Sequence, residues 1–559
     1  MTALRSDLQK GQTLIDYFYY WEKQRPNAVY LRQPVGSRYQ DFTWGEVGRQ
    51  ARIVATYLNS LDLPPKSNIG LLARNCAHWI ITDLAIMLSG HVSVPLYPTL
   101  NAQQLRNVLT HSGCSLLFVG KVDNWTASQS GIPAHTHCVI LTGQLPDLNG
   151  SRWETILEQY SPMTHCPLPH PSDLFTIIYT SGTTGNPKGV MMDYKAMASA
   201  IDATRPMMRH DIRNPRFFSY LPLSHVAERS LVEATSMIAG GTVYFSESAD
   251  RFRTNLASAR PTHFLAVPHI WSKIQQQILA ELPQQKLNWL LRTPLLSALV
   301  KQNIKRALGL DQAKLILTGA APMPLSLIQW FRRLGIFIQE AYGLTETLGA
   351  TTLMPPDELK DGTVGQLHKG VQARIDALSG EIQIKCDWTL RGYYREPALT
   401  QTVLDADGWL HTGDTGDLDA EGFLKVTGRL KDIYKTTKGK YIVPAPIEHG
   451  FAENHFVEQI CVAGQQLPQP IALIVLSDQG RQADKTAVTQ SLAETIDALN
   501  RNLDTYERVK KVVIVKDHWT TDNNLVTPTL KIRRTSIESR YQPQLQPWYE
   551  DAGTVIWEG

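Results

Sequence analysis

Tyr179-Thr180-Ser181-Gly182-Thr183-Thr184-Gly185-Asn186-Pro187-Lys188-Gly189-Val190 is the stretch on which the reading of this chain turns. Ahead of it, Asp173-Leu-Phe-Thr-Ile-Ile-Tyr179 is an apolar, β-branched run, the pattern of a buried strand. Three glycines, four hydroxyls and one lysine then lie between Thr180 and Gly189. Glycine lets successive backbone N–H groups face one concavity, which is how a main chain holds phosphate oxygens. Thr180, Ser181, Thr183 and Thr184 add hydroxyl donors, Lys188 adds a compact positive charge, and Pro187 stiffens the exit. The stretch reads as a triphosphate cradle. It is not the Walker type, since Gly-x-x-x-x-Gly-Lys-Ser/Thr occurs nowhere in the chain. The competing reading is a Ser/Thr/Gly-rich surface turn.

The 559 residues suffice for about three or four domain-sized units at roughly 150 residues each. A 43% hydrophobic and 19% charged composition is that of a globular protein with ample core. The net charge of +3 is too small to argue for nucleic acid. The six cysteines contain no CxxC pair, and the first ten residues hold no apolar leader, so reduced thiols in a cytoplasmic protein are expected. Asp83, His91, Pro95 and Pro98 interrupt the most apolar long stretch, 80–100, and argue against a membrane span there.

Residues 1–60 read as helical, with Leu14, Tyr17, Phe18 and Trp21 on one face and Trp44 opening a second amphipathic run. Strand patterns at 68–74, 91–97, 115–119 and 138–142 then alternate with helical patterns at 76–89 and 101–112, which implies βαβ units and parallel sheet. His135, His137, Cys138, His165, Cys166 and His170 are zinc-ligand types, but their spacing fits no standard finger and they read as loop residues. Residues 275–306 read as helix broken at Pro283 and Pro294. Lys286, Arg292, Lys301, Lys305 and Arg306 lie there without an acid from 286 to 306, beside Leu287, Trp289, Leu290, Leu291, Leu295, Leu296 and Leu299. Such a basic amphipathic surface suits anionic lipid. The commoner arrangement, one face in the core and the other in solvent, is the expectation here.

The phosphate-loop string resembles, almost letter for letter, that of adenylate-forming enzymes (acyl-CoA synthetases, peptide-synthetase adenylation domains, luciferases). Further motifs of that family follow in order: Phe217-Phe-Ser-Tyr-Leu-Pro-Leu-Ser-His225-Val-Ala-Glu-Arg229, Leu315-Ile-Leu-Thr-Gly319, Gln339-Glu340-Ala341-Tyr342-Gly343-Leu-Thr345-Glu346, Trp409-Leu-His-Thr-Gly413-Asp414, Gly428-Arg429-Leu-Lys431-Asp432 and Lys435-Thr-Thr-Lys438-Gly439-Lys440-Tyr441. Leu525-Val-Thr-Pro-Thr-Leu530-Lys531-Ile-Arg-Arg534 resembles the long-chain form of the catalytic-lysine motif, with Leu530 where other branches carry glycine. Lys438 stands where relatives often carry a second glycine, and Gly380–Trp388 lacks a usual glycine-proline pair, for which a packing change is expected.

The resemblance implies an α/β fold with parallel sheets and a distorted β-barrel in a large N-terminal domain, residues 1–428. It also implies a hinge at 429–433 and a small, mobile α+β domain at 434–559. It assigns ATP contacts to Thr180, Ser181, Gly182, Thr183, Thr184, Gly185, Lys188, Gly319, Glu340, Ala341, Tyr342, Gly343, Thr345, Asp414, Arg429, Lys435 and Lys531. Of these, Tyr342 would stack on the base. Asp414 and Arg429 would reach the ribose, and Thr180 with Glu346 would hold Mg2+. His225 would stand near the carboxylate being activated, Lys531 would bridge carboxylate and α-phosphate, Lys431 would be the hinge, and Lys438, Gly439, Lys440 and Tyr441 would face coenzyme A. The implied activity is ATP-dependent conversion of a fatty acid, of long chain on the Leu530 pattern, to acyl-AMP and then acyl-CoA. The alternatives are transfer to a carrier protein, a non-fatty carboxylic acid as substrate, and a non-catalytic nucleotide-binding relative. Cytoplasmic placement, with peripheral contact on the inner face of the membrane as its variant, completes the expectation.

Overall fold

Residues 11–559 are described by a computed structural model, apart from 144, 167, 182–186 and 528–530. The expected phosphate-loop residues Gly182, Thr183, Thr184 and Gly185 therefore lie outside the described residues, as does Leu530, and Ser181 is described by its backbone alone. The run before the loop is the strand Leu174–Ser181, which turns back as the antiparallel strand Pro187–Asp193. Leu174–Ser181 pairs in parallel with Val92–Leu96 and so joins an eight-stranded sheet continuing through Asn68–Leu72, Leu116–Val119 and His137–Ile140. These are the strands that the alternating pattern predicts, and the helices Ala77–Leu88 and Ala102–Ser112 fall between them.

A second, nine-stranded sheet has a parallel centre made of Gln339–Tyr342, Leu315–Thr318, His263–Leu265, Arg216–Ser219, Thr242–Phe245 and Val29–Val35. Val29–Val35 with Arg38–Thr43 corrects the all-helical reading of residues 1–60. Pro34 weakens the local strand signal. Pairing to Thr242–Phe245, the Arg32–Asp41 ion pair at 2.6 Å and the stacking of Tyr30 on Trp44, ring centroids 3.9 Å apart, hold the hairpin in place. The flanking helices Leu14–Gln24 and Trp44–Asn59 form where they were expected, each opened by a Thr-x-x-acid capping box. An antiparallel four-stranded sheet, Gln372–Ile375, Glu381–Lys385, Leu410–Leu418 and Leu424–Arg429, completes the large N-terminal domain.

The helix Ala77–Leu88 is buried on all sides and carries Asp83 into the interior at 0% exposure. Its charge is met by Arg229, which donates to Asp83 Oδ2 at 2.6 Å and to Thr176 Oγ1 at 2.8 Å, with its guanidinium 4.6 Å from the Phe175 ring. Arg229 opens a π-helical turn, Arg229–Ala234, which brings Glu233 within 3.2 Å of the same guanidinium. Burial, reinforced by Asp83, drives the Glu233 carboxyl well above the carboxylate range, so it is a neutral acid and the buried net charge closes on one ion pair. This pair ties the phosphate-loop strand, through Thr176, to the segment that follows His225.

The C-terminal domain is a four-stranded mixed sheet, Val457–Ala463, Ile471–Leu476, Lys511–Ile514 and Val555–Trp557, packed with the helices Lys485–Asn500 and Arg534–Glu550. Among the described residues no helix is long and apolar enough to cross a membrane. In the Gly380–Trp388 segment, Trp388 is buried and donates to the Ala350 carbonyl at 2.9 Å.

Arg229→Met would leave Asp83 buried without its cation. The expected cost is about 3–5 kcal/mol, read as a lowered urea midpoint of the large domain. An unchanged midpoint would mean that the pair holds nothing together.

Candidate active site

Thr180 ends one parallel strand, Gly319 follows Leu315–Thr318, and Tyr342 ends Gln339–Tyr342. Ligands of open α/β sheets gather outside such strand ends. Gly319 is required by a close approach, because a Cβ there would lie 2.9 Å from the Ala341 carbonyl oxygen. Gly343 is tighter still, a Cβ falling 2.3 Å from the backbone of Gly349. Thr345 and Glu346 sit in the single 3₁₀ turn Thr345–Thr347 that this close packing creates. Burial, with Asp361 adding to it, pushes the Glu340 carboxyl up to about 7, so near neutrality it both donates and accepts hydrogen bonds.

Asp414 and Arg429 face each other across the strands Leu410–Leu418 and Leu424–Arg429. Asp414 is buried. Its Oδ1 accepts from Arg429 Nε at 2.9 Å and its Oδ2 accepts from the Tyr342 hydroxyl at 2.8 Å. Tyr342 therefore has its ring held in place by its own hydroxyl. Burial and then the Asp414 charge raise that phenol well above its ordinary value, so it stays a donor. Each carboxylate oxygen of Asp414 keeps a lone pair for a further donor.

Glu346 is oriented by Tyr393, whose hydroxyl donates to Oε1 at 2.7 Å, and the Glu346 carbonyl accepts from the Leu390 N–H at 2.8 Å. The Lys188 ammonium lies 5.4 Å from the Tyr393 ring centroid. Burial first, and the charge of Lys431 second, lower the Lys188 pKa against the opposing pull of Glu346 and Glu396. Lys431, in the turn Leu430–Asp432, is thus close enough for its charge to be felt at the phosphate-loop lysine.

His225 caps the short turn Val226–Glu228, its Nδ1 accepting from the Ala227 N–H at 3.2 Å. Asn75 and Glu228 fix the approach to it. The Asn75 amide accepts from the Leu223 N–H and donates to the Leu221 carbonyl, at 3.0 and 2.6 Å, and Glu228 Oε1 accepts from the Tyr220 N–H at 2.9 Å. Burial lowers the His225 pKa to about 4, and the Lys531 charge pushes the same way, so this ring is neutral. Burial raises Glu228 to about 8, and it too is neutral near pH 7.

Lys531 reaches the same cleft from the C-terminal domain. The Thr527 N–H donates to the Lys531 carbonyl at 2.8 Å, Val526 bridges Ile532, and the Arg533 N–H donates to the Leu525 carbonyl at 2.8 Å, so a short antiparallel hairpin presents the lysine. Arg534 pins its base, bonding Glu448 at 2.6 Å and the Val462 carbonyl at 2.7 Å. Lys531 itself is exposed, with neighbouring protein crowding around it. The crowding and the Arg429 charge, partly offset by Asp414 and Glu346, lower its pKa to about 8.

The cleft therefore gathers Lys188, His225, Tyr342, Glu346, Asp414, Arg429, Lys431 and Lys531. It does not gather Lys435, Lys438, Gly439, Lys440 and Tyr441, which lie on an exposed hairpin where the Lys435 ammonium is 5.5 Å from the Tyr441 ring. Lys435, expected among the ATP contacts, is on this exposed hairpin. Tyr393, Asn75, Glu228 and Arg533 were missed. Tyr393 follows a glycine in an aromatic pair with no periodicity, and Asn75 and Glu228 act through contacts across the fold that sequence spacing does not carry.

Two family models match the chain: "AMP-binding enzyme" over residues 18–394 and "AMP-binding enzyme C-terminal domain" over residues 431–553. Long-chain-fatty-acid–CoA ligase 5 of Rattus norvegicus is 28% identical, the match covering 98% of this chain and 92% of the relative. Fatty acyl-CoA synthetase A of Dictyostelium discoideum is 26% identical, over 97% and 91%. Among solved structures, the didomain of a carboxylic acid reductase from Segniliparus rugosus with AMP bound superposes with TM-score 0.83 at 20% identity, covering 98% of this chain and 84% of that one.

Lysine NMR titration of the ligand-free protein should place Lys531 near pH 8. Arg429→Met removes a like charge and should move that midpoint up toward the ordinary lysine value of 10.5. A midpoint near 10.5 in the unaltered protein would show that the hairpin does not stand in the cleft.

Proposed function

The chain belongs to the AMP-binding enzyme family, and from that premise we propose that it activates a long-chain fatty acid to acyl-AMP and passes the acyl group to coenzyme A. The observation that carries the reading is the arrival of Lys531, from the far end of the chain, beside Asp414, Arg429, Glu346 and His225. The length and chemistry of the acid rest on the relatives named long-chain-fatty-acid–CoA ligase.

A carboxylate is a poor acyl donor because its leaving group would be oxide. Attack of a carboxylate oxygen on the α-phosphorus of ATP releases pyrophosphate and leaves AMP as a competent leaving group on the acyl carbon. Such a step is governed by positioning and charge neutralisation. Tyr342 offers its face to the base, and Asp414 with Arg429 takes the ribose. Lys188 holds the departing phosphates, and Lys531 spans the carboxylate and α-phosphate oxygens. His225, neutral and buried, walls the carboxylate without competing for a proton. Glu346 keeps one oxygen without a hydrogen bond among the described residues, and with Thr180 it offers the hard oxygen donors that Mg2+ takes. When bound, that ion supplies neutralisation of phosphate charge.

The division at 1–428, 429–433 and 434–559 forms part of the proposal. With Lys531 inside the cleft and the Lys435–Tyr441 hairpin outside it, this arrangement suits the first half-reaction. Rotation about Lys431 would withdraw Lys531 and bring Lys438, Gly439, Lys440 and Tyr441 to the adenylate, where the coenzyme A thiol attacks. Purified protein with Mg-ATP and a ladder of acids should release AMP only with coenzyme A, peaking at a long chain. Pyrophosphate exchange without that dependence would move the acceptor to a carrier protein. Lys531→Ala should lower adenylation about 100- to 1,000-fold and spare thioester formation from supplied acyl-AMP; equal loss of both would remove Lys531 from the first step alone.

The fatty-acid reading extends to a partner surface. Helices Gln284–Arg292 and Pro294–Leu308 turn Leu287, Leu291, Val300 and Ile304 to the core. Trp289, Leu295 and Leu299 nevertheless stand 61, 82 and 57% exposed on the other side. One face is thus in the core and the other in solvent, as expected, but the solvent face carries apolar side chains. Apolar side chains ringed by Lys286, Arg292 and Arg306, with no acid between, complement an anionic bilayer. Vesicles of phosphatidylcholine with phosphatidylglycerol should float the protein, and Trp289→Glu with Leu295→Glu should abolish flotation without changing turnover of a short soluble acid. Equal binding to neutral vesicles, or self-association through this face in sedimentation, would overturn the assignment.

A further inference from the structure

The hairpin that presents Lys531 presents a second cation. Residues two apart on an extended segment project to the same side. Ile532 packs into the C-terminal domain core, so Lys531 and Arg533 are both turned toward the large domain. Arg533 lines a small pocket with Tyr97, Leu100, Tyr179, Thr180 and Pro187. This pocket opens beyond the carboxyl ends of Val92–Leu96 and Leu174–Ser181 and touches Thr180 and Pro187, the two described shoulders of the phosphate-loop motif.

Within the pocket Arg533 is under-neutralised. Among the described residues its Nε, closed off from solvent, has no hydrogen-bond partner, and no carboxylate forms an ion pair with its guanidinium. Arg534, next in the chain, also has an unbonded Nε, but its guanidinium is neutralised by Glu448 at 2.6 Å and Asp432 at 3.7 Å and donates to the Val462 carbonyl. An arginine in a partly closed pocket without an anion is a donor fork awaiting one, and a planar fork of this kind binds phosphate oxygens. Lys531 stands on the Asp414–Arg429–His225 side of the cleft, whereas Arg533 stands on the Thr180–Pro187 side.

We propose that Arg533 holds the pyrophosphate end of the triphosphate during adenylation, as a second cation delivered by the same hairpin as Lys531. The proposal rests on the adenylating reading above. In that step the carboxylate oxygen bonds to the α-phosphorus. The bond from the α-phosphorus to the oxygen bridging to the β-phosphate breaks, and its electron pair stays on that oxygen. The departing pyrophosphate gains one unit of negative charge and no proton moves. A guanidinium at that end stabilises charge that exists only as the bond breaks. Because Lys531 and Arg533 ride on one hairpin, the rotation that withdraws the lysine also withdraws the grip on pyrophosphate, which couples its release to the approach of coenzyme A.

The test uses the full chain and the reverse of the first half-reaction, formation of ATP from supplied acyl-AMP and magnesium pyrophosphate. Arg533→Gln should raise the KM for pyrophosphate about tenfold or more, and calorimetry with inorganic pyrophosphate should show the same weakening. Thioester formation from the same acyl-AMP and coenzyme A should be unchanged, and Arg533→Lys should recover part of the loss. Lys531→Ala should instead lower kcat with little effect on that KM. An unchanged pyrophosphate KM in Arg533→Gln would overturn the proposal, as would a parallel fall in thioester formation, which would mark Arg533 as structural. Failure of the unaltered protein to make ATP from acyl-AMP would overturn the adenylating reading itself, and it would show before any variant is compared.

Discussion

Four cations, Lys188, Arg429, Lys431 and Lys531, converge on a cleft in which Glu346 and Asp414 supply the near carboxylates. Burial first, and the neighbouring like charges second, depress the pKa values of Lys188 and Lys531. A triphosphate would offset these charges. On the proposed function, closure of the C-terminal domain onto the large one would depend on a charge balance that ATP completes and pyrophosphate release undoes. Arg533, without an ion-pair partner among the described residues, would add a fifth positive charge to this balance on the phosphate-loop side.

The large domain makes the cleft stiff enough for that balance to matter. Strand ends from two sheets place Thr180, Gly319 and Tyr342, and the buried Asp83–Arg229 pair links the phosphate-loop strand to the segment after His225. A neutral Glu233 and a neutral Glu228 are tolerated in this interior because protonation removes the charge that burial would penalise. The π-helical turn at Arg229–Ala234 is the local backbone consequence of fitting Arg229 and Glu233 to one buried aspartate.

Much of the fold was legible because its cues are local. Alternating strand and helix patterns marked the parallel strands and their helices from Asn68 onward. The hairpin Val29–Thr43 was not legible, since its strands owe their form to Thr242–Phe245, some two hundred residues away. The site divides in the same manner. Thr180, Lys188, Glu346, Asp414, Arg429 and Lys531 sit in contiguous motifs, whereas Tyr393 acquires its place only by lying over Lys188 and bonding Glu346. Which leucines of Pro294–Leu308 meet the core was not legible, because a helix with two apolar faces does not say which one is buried.

The sequence by itself determined the residue types that the chemistry needs and the motif order that marks the family, since glycine loops, hydroxyls and lysines carry their bonding capacity wherever they fold. Only the tertiary structure decided which of them share a cleft. It put Lys531 in the cleft and the Lys435–Tyr441 hairpin at the surface, occupied both oxygens of Asp414, and left Arg533 beside Thr180 without an ion-pair partner among the described residues. Charge, burial and hydrogen-bond satisfaction are properties of neighbours in space, and most of these neighbours are hundreds of residues apart in the chain.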